Sequence, residues 1–127
     1  MSLSNKKILI VEDEEPILRA LVDKFTREGF ETLEARNGEE GLEIALREHP
    51  DLILLDIIMP KMDGMTMLHK LREDTWGEQV PVIILTNLSE AEKMKEAMEA
   101  GVFDFLVKTN WRLEDVVKKV REKLEEG

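Results

Sequence analysis

The stretch Leu52-Ile53-Leu54-Leu55-Asp56 decides the fold. Four consecutive apolar residues leave no polar face, so the segment reads as a strand buried on both sides. It ends in an acid, and the chain then turns through Pro60 and Asp63-Gly64. Three other segments repeat this form. Ile8-Leu9-Ile10-Val11 ends in Glu12-Asp13, Val82-Ile83-Ile84-Leu85 ends in Thr86, and the run from Phe103 to Val107, interrupted by Asp104, ends in Lys108. Each buried strand therefore delivers a polar side chain at its carboxyl end. In an open parallel sheet those ends form the ligand crevice.

Working outward, the segments between the strands carry helical periodicity. Strands are predicted at 7–11, 30–35, 52–56, 81–85 and 103–107. A helix at about 15–28 presents Ile17, Leu18, Leu21, Val22 and Phe25 on one side, with Pro16 in its first turn and Gly29 as its stop. Asn37 is the N-cap of a helix reaching about His49, where Pro50 ends it. A short helix takes Met65 to Arg72, and 73–79 is a polar loop. Ser89-Glu90-Ala91-Glu92 is a capping box for a helix ending at Gly101. A final helix carries Leu113, Val116, Val117, Val120 and Leu124 on one face. Five strands alternating with five helices give an α/β, doubly wound fold with helices on both faces. The flavodoxin-like strand order 2-1-3-4-5 suits this length. One domain is expected over 1–127, with its core at about 6–125.

Composition narrows the function. The 127 residues are 43% apolar and 36% charged, as in a globular domain. A net charge of −10 argues against direct binding of nucleic acid or of an anionic membrane. With no cysteine there is no disulfide, thiol nucleophile or zinc-thiolate site. No apolar stretch approaches the roughly 20 residues of a membrane span, and no signal-peptide pattern opens the sequence. A cytoplasmic location is the expectation.

In the 2-1-3-4-5 order, the first and third strands are neighbours, so Glu12, Asp13 and Asp56 crowd together. Carboxylates a few ångström apart oppose one another's ionisation. A hard divalent cation relieves the conflict, and Mg²⁺ takes one or two carboxylates plus water and phosphate oxygens. Taken singly, each acid is explained as a solvated loop residue. Together with Thr86 and Lys108 at the other strand ends, they argue for phosphoryl chemistry, which needs a nucleophile, a metal and donors to the equatorial oxygens. Asp56 supplies the nucleophile, Asp13 and Asp56 the metal ligands, and Lys108 and Thr86 the donors. A structural salt bridge from Lys108 to the acids is the alternative role for that residue.

The residues Ile8 to Glu14, Leu54 to Gly64, Leu85-Thr86 and Phe105-Leu106-Val107-Lys108 resemble, in order and spacing, the receiver domain of two-component response regulators. The resemblance covers essentially the whole chain. It implies that Asp56 accepts a phosphoryl group from a phosphohistidine on a sensor histidine kinase or phosphotransfer protein. It implies Mg²⁺, or Mn²⁺ in its place, held by Glu12, Asp13, Asp56 and the backbone carbonyl of Ile58. Thr86 is then the switch hydroxyl, Phe105 the switch aromatic and Lys108 the phosphoryl-contacting lysine. Partners implied are an output domain or effector on the face of helix 4, strand 5 and helix 5, and a homodimer on phosphorylation. Such a domain catalyses only its own phosphorylation and dephosphorylation. Three positions depart from the common pattern: Thr109 stands where proline is usual, Asn87 where a small residue is usual, and Phe105 where tyrosine is frequent.

Two rival readings are weaker. A Mg²⁺-dependent phosphatase with an aspartyl-phosphate intermediate needs an acid two residues after the nucleophile, where Ile58 stands. A flavin carrier of this fold needs a phosphate loop after the first strand, where Glu12-Asp13-Glu14-Glu15 repels phosphate. His49 and His69 fall in or beside helices, and solvated or packing roles are expected for them. Met62, Met65, Met67, Met94 and Met98 are packing residues or an adaptable partner surface. Met94, Ala97 and Met98 fall on the helix that the family uses for output. Trp76 and Trp111 have no assignment, and the charged tail 118–126 reads as a solvated helix face.

Overall fold

A computed structural model describes residues 5–57, 61–86, 91–107 and 112–126. Among them, five strands alternate with five helices: β1 (Lys7–Val11), α1 (Glu15–Arg27), β2 (Glu31–Ala35), α2 (Gly38–Glu48), β3 (Leu52–Asp56), α3 (Gly64–Arg72), β4 (Val82–Thr86), α4 (Ala91–Glu99), β5 (Asp104–Val107) and α5 (Leu113–Glu126). The strands form one parallel sheet of order β2-β1-β3-β4-β5. This is the predicted order. Boundaries differ from expectation by a residue at several ends, as fraying termini do. β4 runs on to Thr86 because its backbone still pairs with Val107 of β5.

The period of two along each strand divides the core. Leu9, Val11, Ile53, Leu55, Val82 and Ile84 pack with Ala45 of α2, Met67, Leu68 and Leu71 of α3, and Ala97 of α4. Ile8, Ile10, Leu52, Leu54, Ile83 and Leu85 pack with Leu18, Leu21 and Phe25 of α1 and Val116 and Val120 of α5. Helices α1 and α5 thus cover one face of the sheet, and α2, α3 and α4 the other. This two-sided burial is why the central strands are apolar throughout.

Local chemistry sets the helix ends. Gly29 takes a left-handed φ of 96°, and the Phe30 amide closes back on the Phe25 carbonyl at 3.0 Å. The Asn37 side chain accepts from the Glu40 amide at 2.8 Å, as its N-cap role requires. Asp63 does the same for Thr66 at 2.8 Å, so α3 begins at Gly64, one residue before the predicted start. Ser89 and Glu90 of the predicted capping box lie outside the described residues.

Two expectations are corrected, and a residue with no assignment gains one. The tail 118–126 is not simply solvated. Arg121 donates to the Glu28 carboxylate at 2.9 Å and lies 5.2 Å from the Phe30 ring centroid, and Lys119 pairs with Asp104 at 2.7 Å. Ala97 is fully buried and so cannot form a partner surface, whereas Met98 is 65% exposed. Trp76 is not idle in a polar loop: it stacks on His49 at 4.3 Å and packs against the core.

Candidate functional site

The register of the sheet builds the site. Val11 of β1 pairs with Leu55 of β3, so Glu12 and Asp56 are the next residues on adjacent strands. Both continue an alternation, Ile8-Ile10-Glu12 and Leu52-Leu54-Asp56, whose earlier members share one core cluster. Glu12 is fully buried and Asp56 is 4% exposed, while Asp13 is exposed at the rim. One carboxylate oxygen from each of the three lies within 4.8 Å of the others. The sequence expectation that these acids converge is met.

Backbone contacts hold the pocket in place. The Glu12 amide donates to the Ala35 carbonyl of β2 at 3.0 Å, and the Glu14 amide donates to Glu12 Oε2 at 3.0 Å. Beyond Asp56, the Gly64 amide donates to the Ile57 carbonyl at 2.7 Å. A Cβ on Gly64 would overlap the Asp56 carbonyl oxygen, so only glycine lets the chain fold back this closely on the strand end. The Gly38 amide, at the start of α2, donates to the Met62 carbonyl at 2.8 Å. Sequence reasoning read Asn37-Gly38 only as a helix start. A glycine at the first helical position was the visible signal of a close approach.

Charge is expensive inside a protein, and two of these acids lie there. A bound cation offsets their mutual repulsion. The donor set is carboxylate oxygen throughout, which suits a hard divalent ion and not a thiophilic one. The cluster could therefore hold a metal ion.

The remaining predicted residues are placed by backbone alone or not at all. Asp56 pairs with Leu85, so Thr86 follows directly on the strand beside it. Phe105 lies in β5 opposite Ile84. The side chains of Thr86 and Phe105 lie outside the described residues, as do Ile58, Asn87, Leu88, Lys108, Thr109 and Trp111 and the side chain of Met94. Both histidines hold contacts elsewhere. His49 stacks on Trp76, and His69 Nε2 lies 2.5 Å from a Glu96 carboxylate oxygen, joining α3 to α4. No helix among the described residues is long and apolar enough to cross a membrane.

With this geometry in view, the comparisons with known proteins agree. The sequence profile of the response regulator receiver domain matches residues 8–121. A probable transcriptional regulator, ycf27, of Porphyridium aerugineum is 39% identical over 84% of this chain and 43% of its own length. The regulatory protein AtoC of Escherichia coli is 41% identical over 80% of this chain and 22% of its own. The chain thus spans less than half the length of these relatives. Among solved structures, a CheY-like response regulator receiver domain protein from Methanospirillum hungatei superposes with a TM-score of 0.88 at 32% identity, covering 97% of this chain and 96% of that one. The chain belongs to the response regulator receiver domain family.

Proposed function

We propose that Asp56 is the phospho-acceptor of this receiver domain, that the domain spans about residues 6–125, and that its acid cluster binds Mg²⁺. The observation that carries the reading is the meeting of buried Glu12, buried Asp56 and exposed Asp13 at the carboxyl ends of β1 and β3. The donor is a phosphohistidine of a sensor histidine kinase or phosphotransfer protein. An Asp56 carboxylate oxygen attacks phosphorus, the nitrogen–phosphorus bond breaks, and the imidazole leaves carrying the electron pair. Glu12, Asp13, Asp56 and the Ile58 carbonyl would hold the ion, with Mn²⁺ able to replace it. When bound, the cation neutralises charge on the transferring phosphoryl group. Lys108 and Thr86 contact its oxygens.

The acyl phosphate adds charge and acceptor oxygens at the end of β3. Thr86 responds from the neighbouring strand, and Phe105 changes orientation. The surface of α4, β5 and α5 then engages an output domain, an effector or a second copy. The domain acts on no separate substrate, and a cytoplasmic location fits this partnership.

The test is phosphorylation by acetyl phosphate, followed by intact mass. The expected result is one added phosphoryl group in Mg²⁺, none in EDTA and none in Asp56→Asn. Equal gain in the variant or in EDTA would overturn the reading.

A further inference from the structure

We propose that Gly38 is a positioning residue for the acid site, acting through the Met62 carbonyl on the loop that follows Asp56. This rests on the metal reading of that site. The first amides of a helix have no partner within the helix and need one from outside. In α2 the Glu40 amide is satisfied by the Asn37 side chain, within the same segment. The Gly38 amide is satisfied instead by Met62, at 2.8 Å, from the connection between β3 and α3.

The described residues on either side of 58–60 are tied to their surroundings. Gly64 N–H bonds to the Ile57 carbonyl at 2.7 Å, closing the connection at its base. Asp63 caps α3 by accepting from Thr66 at 2.8 Å, which fixes the outgoing chain. Lys61, immediately before Met62, holds a left-handed φ of 62°, a conformation that non-glycine residues adopt only when their surroundings impose it. The Gly38–Met62 bond joins this turn to a separate element. A Cβ at Gly38 would overlap the Met62 carbonyl oxygen and also crowd the Asp63 carbonyl. The absence of a side chain is therefore what lets α2 dock on the loop. The same helix packs against β1 through Gly41, whose close neighbours are Val11 and Met67. One rigid helix thus links the end of the strand carrying Glu12 to the loop leaving Asp56.

Stepwise addition of Mg²⁺ to ¹⁵N-labelled protein, followed by amide shifts, tests the proposal. The Gly38 amide should move with the same half-saturation as the amides of Asp13 and Asp56. In Gly38→Ala the half-saturation at Asp13 should rise about three- to tenfold, the equivalent of one lost hydrogen bond. Gly77→Ala is the control, because its Cβ would overlap the Leu71 carbonyl at the far end of α3. It should lower the melting temperature and leave the half-saturation unchanged. The wild-type series decides the matter even where Gly38→Ala fails to fold. Saturable shifts at Asp13 and Asp56 with a motionless Gly38 amide would overturn this proposal alone. Equal changes of half-saturation in Gly38→Ala and Gly77→Ala would do the same. No saturable shift at any of these amides would overturn the metal reading and this proposal with it.

Discussion

Glu12 and Asp56 stand side by side at the ends of adjacent parallel strands, each one residue beyond the Val11–Leu55 pair. Both are buried, and Asp13 completes the cluster at the rim. Like charges so placed repel one another, and a bound cation offsets that repulsion.

Metal binding should therefore stabilise the protein. An ion that binds only the folded state contributes about 1.4 kcal/mol at ten times its dissociation constant. For a domain of this size that is a rise of about 5 °C in melting temperature. Melts at constant ionic strength, with and without Mg²⁺, measure it. Asp13→Asn should raise the metal-free melting temperature and shrink the Mg²⁺ effect. A wild-type melt indifferent to Mg²⁺ would count against the site.

Thr86 follows, on β4, the residue paired with Asp56. Thr86→Ala should still be phosphorylated but lose most of the conformational response. Amide exchange across 87–107, with and without beryllofluoride as a phosphoryl mimic, reads that response. A ligand shifts an equilibrium only through its differential affinity for the two states. Matching wild-type and variant responses would exclude Thr86 as the source of that difference.

Glu28 gives a pH prediction. Its carboxyl is held below its ordinary value, first by the hydrogen bond from Arg121 and then by that from Lys24. A carboxyl depressed on folding contributes stability above its unfolded value, near 4.5. That contribution is lost as pH falls through the lower folded value. Glu28→Gln should accordingly be less stable near neutrality, and the difference from wild type should close below about pH 4. Urea titrations across pH 3–7 check it, and a constant difference across that range would contradict it.

Phe25 tests the packing of α1. It is fully buried and its ring centroid lies 5.4 Å from that of Phe30. Phe25→Ala should cost about 3–5 kcal/mol, through lost burial and the cavity left behind. Urea unfolding measures it. A loss under about 1 kcal/mol would mean that the α1 face repacks far more freely than a close-packed core allows.

The three central strands were legible because parallel strands buried on both faces carry unbroken apolar runs, as Leu52 to Leu55 do. The acid cluster was legible because Glu12 and Asp56 each end such a run, and strand order then brings them together. What escaped notice joins distant residues and leaves no local period. Arg121 reaches Glu28 across 93 positions, and His49 meets Trp76 only once the sheet has formed. Arg72 is another case: its guanidinium donates to the carbonyls of Gly77, Val80, Ala100 and Gly101. In sequence it was only the last residue of a short helix. The Gly38–Met62 contact belongs to the same class, since it depends on how closely two backbones approach.

The central claim is that Asp56 carries the phosphoryl group. An acyl phosphate is reduced by borohydride, which converts the modified aspartate to homoserine. Phosphorylation in Mg²⁺, reduction and peptide sequencing by mass spectrometry then locate the site. The predicted result is homoserine at position 56 alone, abolished by omitting Mg²⁺. Homoserine at another aspartate in the wild type, or its formation without a divalent cation, would contradict the account.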